Sequence, residues 1–177
     1  LKRVSLELGG NAPFIVFNDA DVDAAVRGAI ASKFRNAGQT CVCSNRIFVH
    51  RAVRDAFVSK FAATVASFNV GHGSNEGTQI GPLINERALH KAEQLVADAV
   101  ARGANLVVGG KRVAGADGFF FQPTLLENVT PDMRVFKEEA FAPIAPIGAA
   151  IFDEFLAPER HAARPAVAGA DENLGFV

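Results

Sequence analysis

Apolar side chains at Val22, Ala25, Val26, Ala29, Ile30 and Phe34 recur at helical spacing behind Asp21, a residue suited to a helix N-cap, and stop at the turn Asn36-Ala37-Gly38. A short apolar run at residues 46 to 50 reads as a strand, and Val53, Phe57, Phe61, Val65 and Phe68 then form the stripe of a second helix, best explained as core packing. Past a polar, glycine-rich loop at residues 71 to 81, Leu89, Ala92, Val96 and Val100 mark a third helix that Gly103 is placed to end. Residues 106 to 108 and 119 to 121 supply further strand material. Helices alternating with short β-branched or Phe-rich runs point to a three-layer α/β sandwich with a mainly parallel sheet.

Toward the front, residues 4 to 8 alternate up to Gly9-Gly10, and residues 12 to 17 form a short apolar run, so two strands are expected around a glycine turn. Glu7 would then stand at a strand end beside a flexible loop. Beyond residue 147 the texture changes: PERHAARPAVAGADENLG has neither period, and residues 148 to 177 read as a divergent tail without fixed structure behind one domain of residues 1 to 147. The opening LKRVSLELGG has no initiator Met, so sequence upstream is expected.

A net charge of −1 with scattered Lys and Arg leaves no electrostatic footprint for nucleic acid or an anionic membrane, which favours small-molecule chemistry. No apolar run approaches the roughly 20 residues a membrane span needs, and no signal-peptide pattern opens the chain, so a cytoplasmic setting is expected.

The two cysteines of the 177-residue chain, Cys41 and Cys43, lie one residue apart in FRNAGQTCVCSNR. A zinc site needs about four ligands, and His50, His72, His90 and His161 lie singly in unrelated segments, so no metal is assigned. A disulfide between residues i and i+2 closes a strained ring, which suits a regulatory bond better than a structural one. A nucleophile needs a thiolate and a base within reach. Gly38-Gln39-Thr40 gives Cys41 a tight loop, and Glu7 is a carboxylate that surface solvation does not obviously explain. From the residues alone, an inert buried Cys41 and a catalytic one stand equal.

The set LELGG (6 to 10), FRNAGQTC (34 to 41), GPLI (81 to 84), FQPT (121 to 124) and EEAFAPIAP (138 to 146) resembles the catalytic half of the NAD(P)-dependent aldehyde dehydrogenases, in order and over residues 1 to about 147. FRNAGQTCVCSNR and LELGGNAPFIVF are most similar to the succinate-semialdehyde branch, with glutarate-semialdehyde enzymes close to it. The resemblance implies Cys41 as nucleophile, Glu7 as the base that activates water, and Leu8, Glu139 and Phe141 as residues that bind NAD or NADP. It implies Arg35 as the group that pairs with the distal carboxylate of the substrate, and Cys43 as a redox partner able to form a reversible disulfide with the nucleophile.

The same resemblance implies a small aldehyde as substrate, no nucleic acid or membrane partner, and a homo-oligomeric parent enzyme. A nucleotide-binding domain is expected before Leu1; without it the chain alone is expected to be a weak or inactive dehydrogenase that exposes apolar surface and self-associates. The motif departs from the family's usual EExFGP at Ala142, where a Cβ in a tight turn is expected to displace Glu139 or Phe141.

Overall fold

A computed structural model describes residues 2–115 and 117–148. Its first element is strand β1 (Ala12–Val16), followed by helix α1 (Val22–Phe34), a 3-10 turn at Arg35–Gly38 and strand β2 (Ser44–Val49). Helices α2 (Arg51–Ala66) and α3 (Glu86–Ala101), strands β3 (Asn105–Val108) and β4 (Thr124–Val129), the short helix α4 (Arg134–Lys137) and strand β5 (Ile144–Gly148) complete it. The caps follow from the sequence. Asp21 Oδ1 accepts from the N–H groups of Asp23 and Ala24 at the start of α1, His50 Nδ1 accepts from Ala52 at α2, and Asn85 Oδ1 accepts from Ala88 at α3. Past Arg102, Gly103 takes a left-handed φ of 98° and ends α3 as expected.

The strands form one five-stranded sheet in the order β1-β2-β5-β4-β3. β1, β2, β5 and β4 run parallel, and β3 closes the sheet antiparallel to β4. Side chains alternate between faces: Leu125, Ala145 and Ile147 pack with α1 and α2, whereas Leu126 and Ile144 pack with α3 and α4. Helices therefore cover both faces, which is the three-layer sandwich expected. The stacked rings of Phe57 and Phe61, 5.4 Å apart and wholly buried, anchor the first layer, each stabilising it by about 1.5–3 kcal/mol.

Three expectations need correcting. Residues 4 to 8 are not a strand: no described residue pairs with them, and the apolar members of their alternation, Val4, Leu6 and Leu8, are exposed. Residues 119 to 121 contribute only an isolated bridge, Phe121 to Arg112. The chain also builds β4, α4 and β5, which its periodicity does not announce. Asn128, at φ 56°, interrupts β4 with a register shift, and Pro143 and Pro146 remove the donors by which β5 would look like a strand. The tail from residue 149 onward lies outside the described residues, as do residues 1 and 116. No helix among the described residues is long and apolar enough to cross a membrane.

Candidate active site

The three motif segments enter three adjacent parallel strands from the same side. Glu7 and the two glycines precede Ala12 of β1, Cys41 precedes Ser44 of β2, and Glu139 and Phe141 precede Ile144 of β5. Because β1, β2 and β5 are consecutive in the sheet, residues more than 100 positions apart in the chain converge at its amino-terminal edge. There Glu7, Leu8, Gly9, Gln39, Thr40, Cys41, Glu139 and Phe141 line a pocket of about 430 Å³.

The Cys41 loop explains why one thiol faces the pocket and the other does not. Cys43 N–H donates to Thr40 O at 3.1 Å, closing a turn with Cys41 and Val42 at its apex, and both apex residues are exposed. Cys43, past the turn, is buried: its Sγ lies 2.8 Å from Thr40 Oγ1 and donates to Lys33 O at 3.7 Å. Both thiols are free. Before the turn, Asn36, Ala37 and Gly38 all have positive φ, and a Cβ on Gly38 would lie 2.2 Å from Ala142 O, so the loop requires glycine there. Gln39 ties this loop to the GPLI segment, with Oε1 accepting from Ile84 N–H and Nε2 donating to Pro82 O.

Glycines let the walls of the pocket touch. A Cβ on Gly10 would lie 2.1 Å from Cys41 O, and one on Gly9 would lie 2.5 Å from Glu139 Oε2. Gly10 N–H donates to Glu139 Oε1, and Lys91 Nζ, reaching across from α3, donates to Glu139 O.

The structure thus brings together Cys41, Glu7, Leu8, Glu139 and Phe141, and leaves two of the expected residues outside the pocket lining. Arg35 is exposed at the start of the 3-10 turn, and Cys43 faces the core. Ala142 does not sit in a left-handed turn; Phe141 takes that conformation instead, at φ 50°, while Ala142 is buried in the second core and Glu139 keeps its Gly10 contact. Among the described residues no group of three or more His, Cys, Asp or Glu could hold a metal ion.

Three side chains escaped the sequence reading: Lys33, which donates to Asn45 Oδ1; Asn45, whose Nδ2 donates to Gly10 O; and Lys91. One had a visible signal, since Val26, Ala29, Ile30 and Lys33 share a helical face, which puts a lysine among buried positions.

A family model described as the aldehyde dehydrogenase family matches residues 1–155. The chain is 62% identical over 148 residues to a mitochondrial succinate-semialdehyde dehydrogenase of Rattus norvegicus, covering 83% of this chain and 28% of that protein. It is 56% identical over 147 residues to a glutarate-semialdehyde dehydrogenase of Pseudomonas aeruginosa, covering 83% and 30%. Among solved structures it resembles a succinate-semialdehyde dehydrogenase from Burkholderia pseudomallei at a TM-score of 0.82 and 58% identity, covering 88% of this chain and 32% of that one. The chain therefore spans about a third of the length of the proteins it matches.

Proposed function

The chain belongs to the aldehyde dehydrogenase family, and on that footing we propose that its pocket carries the thiol chemistry of an NAD- or NADP-dependent oxidation of a small semialdehyde to the carboxylic acid, with succinate semialdehyde the first candidate. The observation that carries the proposal is the meeting of an exposed Cys41 and of Glu7 in one pocket of about 430 Å³, at the edge of a buried sheet.

Cys41 Sγ attacks the aldehyde carbon, and the carbonyl oxygen takes the charge beside the Cys41 backbone N–H. The resulting thiohemiacetal carries the hydrogen to be removed. Once the thioester has formed, Glu7 takes a proton from a water that attacks the acyl carbon, and the carboxylic acid departs as the Cys41 thiol is restored. Glu7 suits this because it is an exposed carboxylate that lines the same pocket as Cys41.

The residues present fit the inner end of a nicotinamide nucleotide: Gly9 leaves beside the Glu139 carboxylate a cradle that a Cβ would fill, and Phe141 offers a partly exposed aromatic face. Glu139 and Leu8 would hold the ribose side and Phe141 the ring. A bound nicotinamide supplies an acceptor for the hydride of the aldehyde carbon, which no side chain here provides.

Arg35 is proposed as the partner of the distal carboxylate and Cys43 as the redox partner of Cys41; both rest on the family's motif, since neither lines the pocket. Arg35→Ala should raise KM for a carboxylated aldehyde selectively in an enzyme that contains this segment.

Hydrolysis of p-nitrophenyl acetate by the chain tests the thiol half alone, because it needs nucleophile and base but no nucleotide. Turnover that is lost in Cys41→Ala and retained in Cys43→Ala supports the assignment; turnover that survives Cys41→Ala would overturn it.

A further inference from the structure

Lys33 Nζ is buried in the last turn of α1, with no exposed surface and, among the described residues, no carboxylate in a salt bridge with it. An ammonium in such a place is expensive, so its retention needs a reason. Its hydrogen bond goes to Asn45 Oδ1, at 2.7 Å. Asn45, at the start of β2 and itself buried, donates its Nδ2 in turn to Gly10 O at 3.2 Å and to Cys43 O at 3.4 Å.

The chemistry of the pair fixes a direction. A lysine ammonium has three donors and no acceptor, so only the oxygen of the Asn45 amide can face it. The amide nitrogen is then forced toward the two carbonyl groups, Gly10 O before β1 and Cys43 O after the nucleophile turn. Turned over, the amide would set its oxygen against both carbonyls and its N–H groups against the ammonium. Gly10 passes the constraint on, because its own N–H holds Glu139 Oε1 at 3.1 Å while its backbone lies against Cys41 O.

We propose that Lys33 is a positioning residue for the candidate active site: its buried ammonium locks the Asn45 amide in the one orientation that ties the glycine loop to the Cys41 turn and, through Gly10, to Glu139. The role rests on the assignment of this pocket as the active site, and Lys33 itself touches no reactant.

Burial lowers the Lys33 pKa to about 8, and the neighbouring Cys43 and Glu139 oppose the shift. At neutral pH the group is a cation and the lock is set. A neutral amine can accept as well as donate, so the orientation is no longer dictated once the proton is lost.

Amide hydrogen exchange at Gly10 in the full chain reads the lock without relying on turnover, with an amide of the α2 core such as Ala62 as internal reference. Lys33→Met should speed Gly10 exchange about tenfold relative to Ala62, the equivalent of one strong hydrogen bond lost, with the rest of the fold retained. In the unchanged chain the same ratio should rise as pH passes through about 8, and in Lys33→Met it should stay flat; a purely space-filling lysine would give no such step. Asn45→Asp keeps a partner for Lys33 and removes both donated bonds, so it should reproduce the tenfold change even if Lys33→Met does not fold. A folded Lys33→Met, or an Asn45→Asp, with Gly10 exchange unchanged overturns the proposal. Ester hydrolysis measured alongside separates the two assignments: a chain that shows the exchange changes but never hydrolyses ester keeps the lock and loses the catalytic role of Cys41.

Discussion

Gly10 donates its backbone N–H to Glu139 Oε1 at 3.1 Å, a contact between residues 129 positions apart that joins the segment before β1 to the segment before β5. Between them in the sheet lies β2, whose leading turn carries Cys41. One hydrogen bond thus spans the mouth of the pocket and fixes its two outer walls on either side of the thiol.

Gly10→Ala should therefore damage the site more than any ordinary loop glycine would. The added Cβ would fall 2.1 Å from Cys41 O, a backbone atom that cannot swing aside, so the glycine loop or the Cys41 turn must move. Cys41-dependent hydrolysis of p-nitrophenyl acetate should fall at least about tenfold, the size of effect that follows misplacement of a reacting group. Gly73→Ala, with nothing within 4 Å of its Cβ, is the control and should leave the rate alone. Equal rates for the two variants would refute the steric account.

Ala142→Gly should cost stability and yield no gain in the site. Ala142 is wholly buried against the second core, and the left-handed conformation belongs to Phe141 before it, so a glycine at 142 gains no needed freedom. Loss of the methyl and the added freedom of the unfolded chain should lower stability by roughly 1 kcal/mol in urea melts. An increase in stability would show that the alanine strains its turn after all.

The contrast between α1 and β5 shows what the sequence could reveal. The α1 stripe, its Asp21 cap and the Asn36-Ala37-Gly38 turn that follows it are local signals, each set by residues within a few positions, and all three appear where expected. β5 is non-local: two prolines hide it, and only its place between β2 and β4 makes residues 144 to 148 a strand. The opposite error befell residues 4 to 8, whose clean alternation implies a partner strand that no described residue supplies. In the site, Cys41 and Glu7 were legible through motifs, whereas Lys33 and Asn45 act through a buried hydrogen bond across 12 positions that no local pattern encodes.

The two thiols should differ sharply toward an alkylating agent. Cys41 stands at the apex of an open turn, and Cys43 is buried with its sulfur against Thr40 Oγ1 and Lys33 O. Under a limiting amount of iodoacetamide, peptide mass spectrometry should find the label on Cys41 with Cys43 labelled only after unfolding. Comparable labelling of both in the folded chain would mean that the turn opens readily, and would make a disulfide between them easier to reach than the reduced structure indicates.

Stability should carry a signature of Lys33 above neutrality. Its folded pKa of about 8 lies below the ordinary lysine value of 10.5, so between those values the folded chain binds fewer protons than the unfolded one. The buried ammonium is then a cost, present in full below pH 8 and relieved as pH rises toward 10.5, on the order of 3 kcal/mol in all. Lys33→Met removes that cost but strands Asn45 Oδ1, which returns about 1–3 kcal/mol. The melting temperatures of the two proteins should accordingly be similar or favour Lys33→Met at pH 7, and the unchanged chain should gain on the variant between pH 8 and 10. A difference that stays constant across that interval would mean that Lys33 is not a buried cation.

β1 ends the sheet, hydrogen-bonded to β2 alone among the described strands; Ile15 within it is 42% exposed and Phe17 just after it 44%. The preceding segment adds Val4, Leu6 and Leu8, each about 70% exposed or more. An unpaired strand edge flanked by apolar side chains is a template for another chain; Pro13 removes a donor near the start of β1, and residues 14 to 16 hold no proline. At high micromolar concentration the chain should self-associate, with light scattering reporting a mass above that of one chain. Ile15→Lys with Phe17→Lys should reduce the association by placing like charges along the edge, and should leave ester hydrolysis unchanged because neither residue lines the pocket. A single-chain mass for the unmodified protein at the same concentration would contradict the role assigned to this edge, and an association that the double substitution does not weaken would move it to a different surface of the molecule.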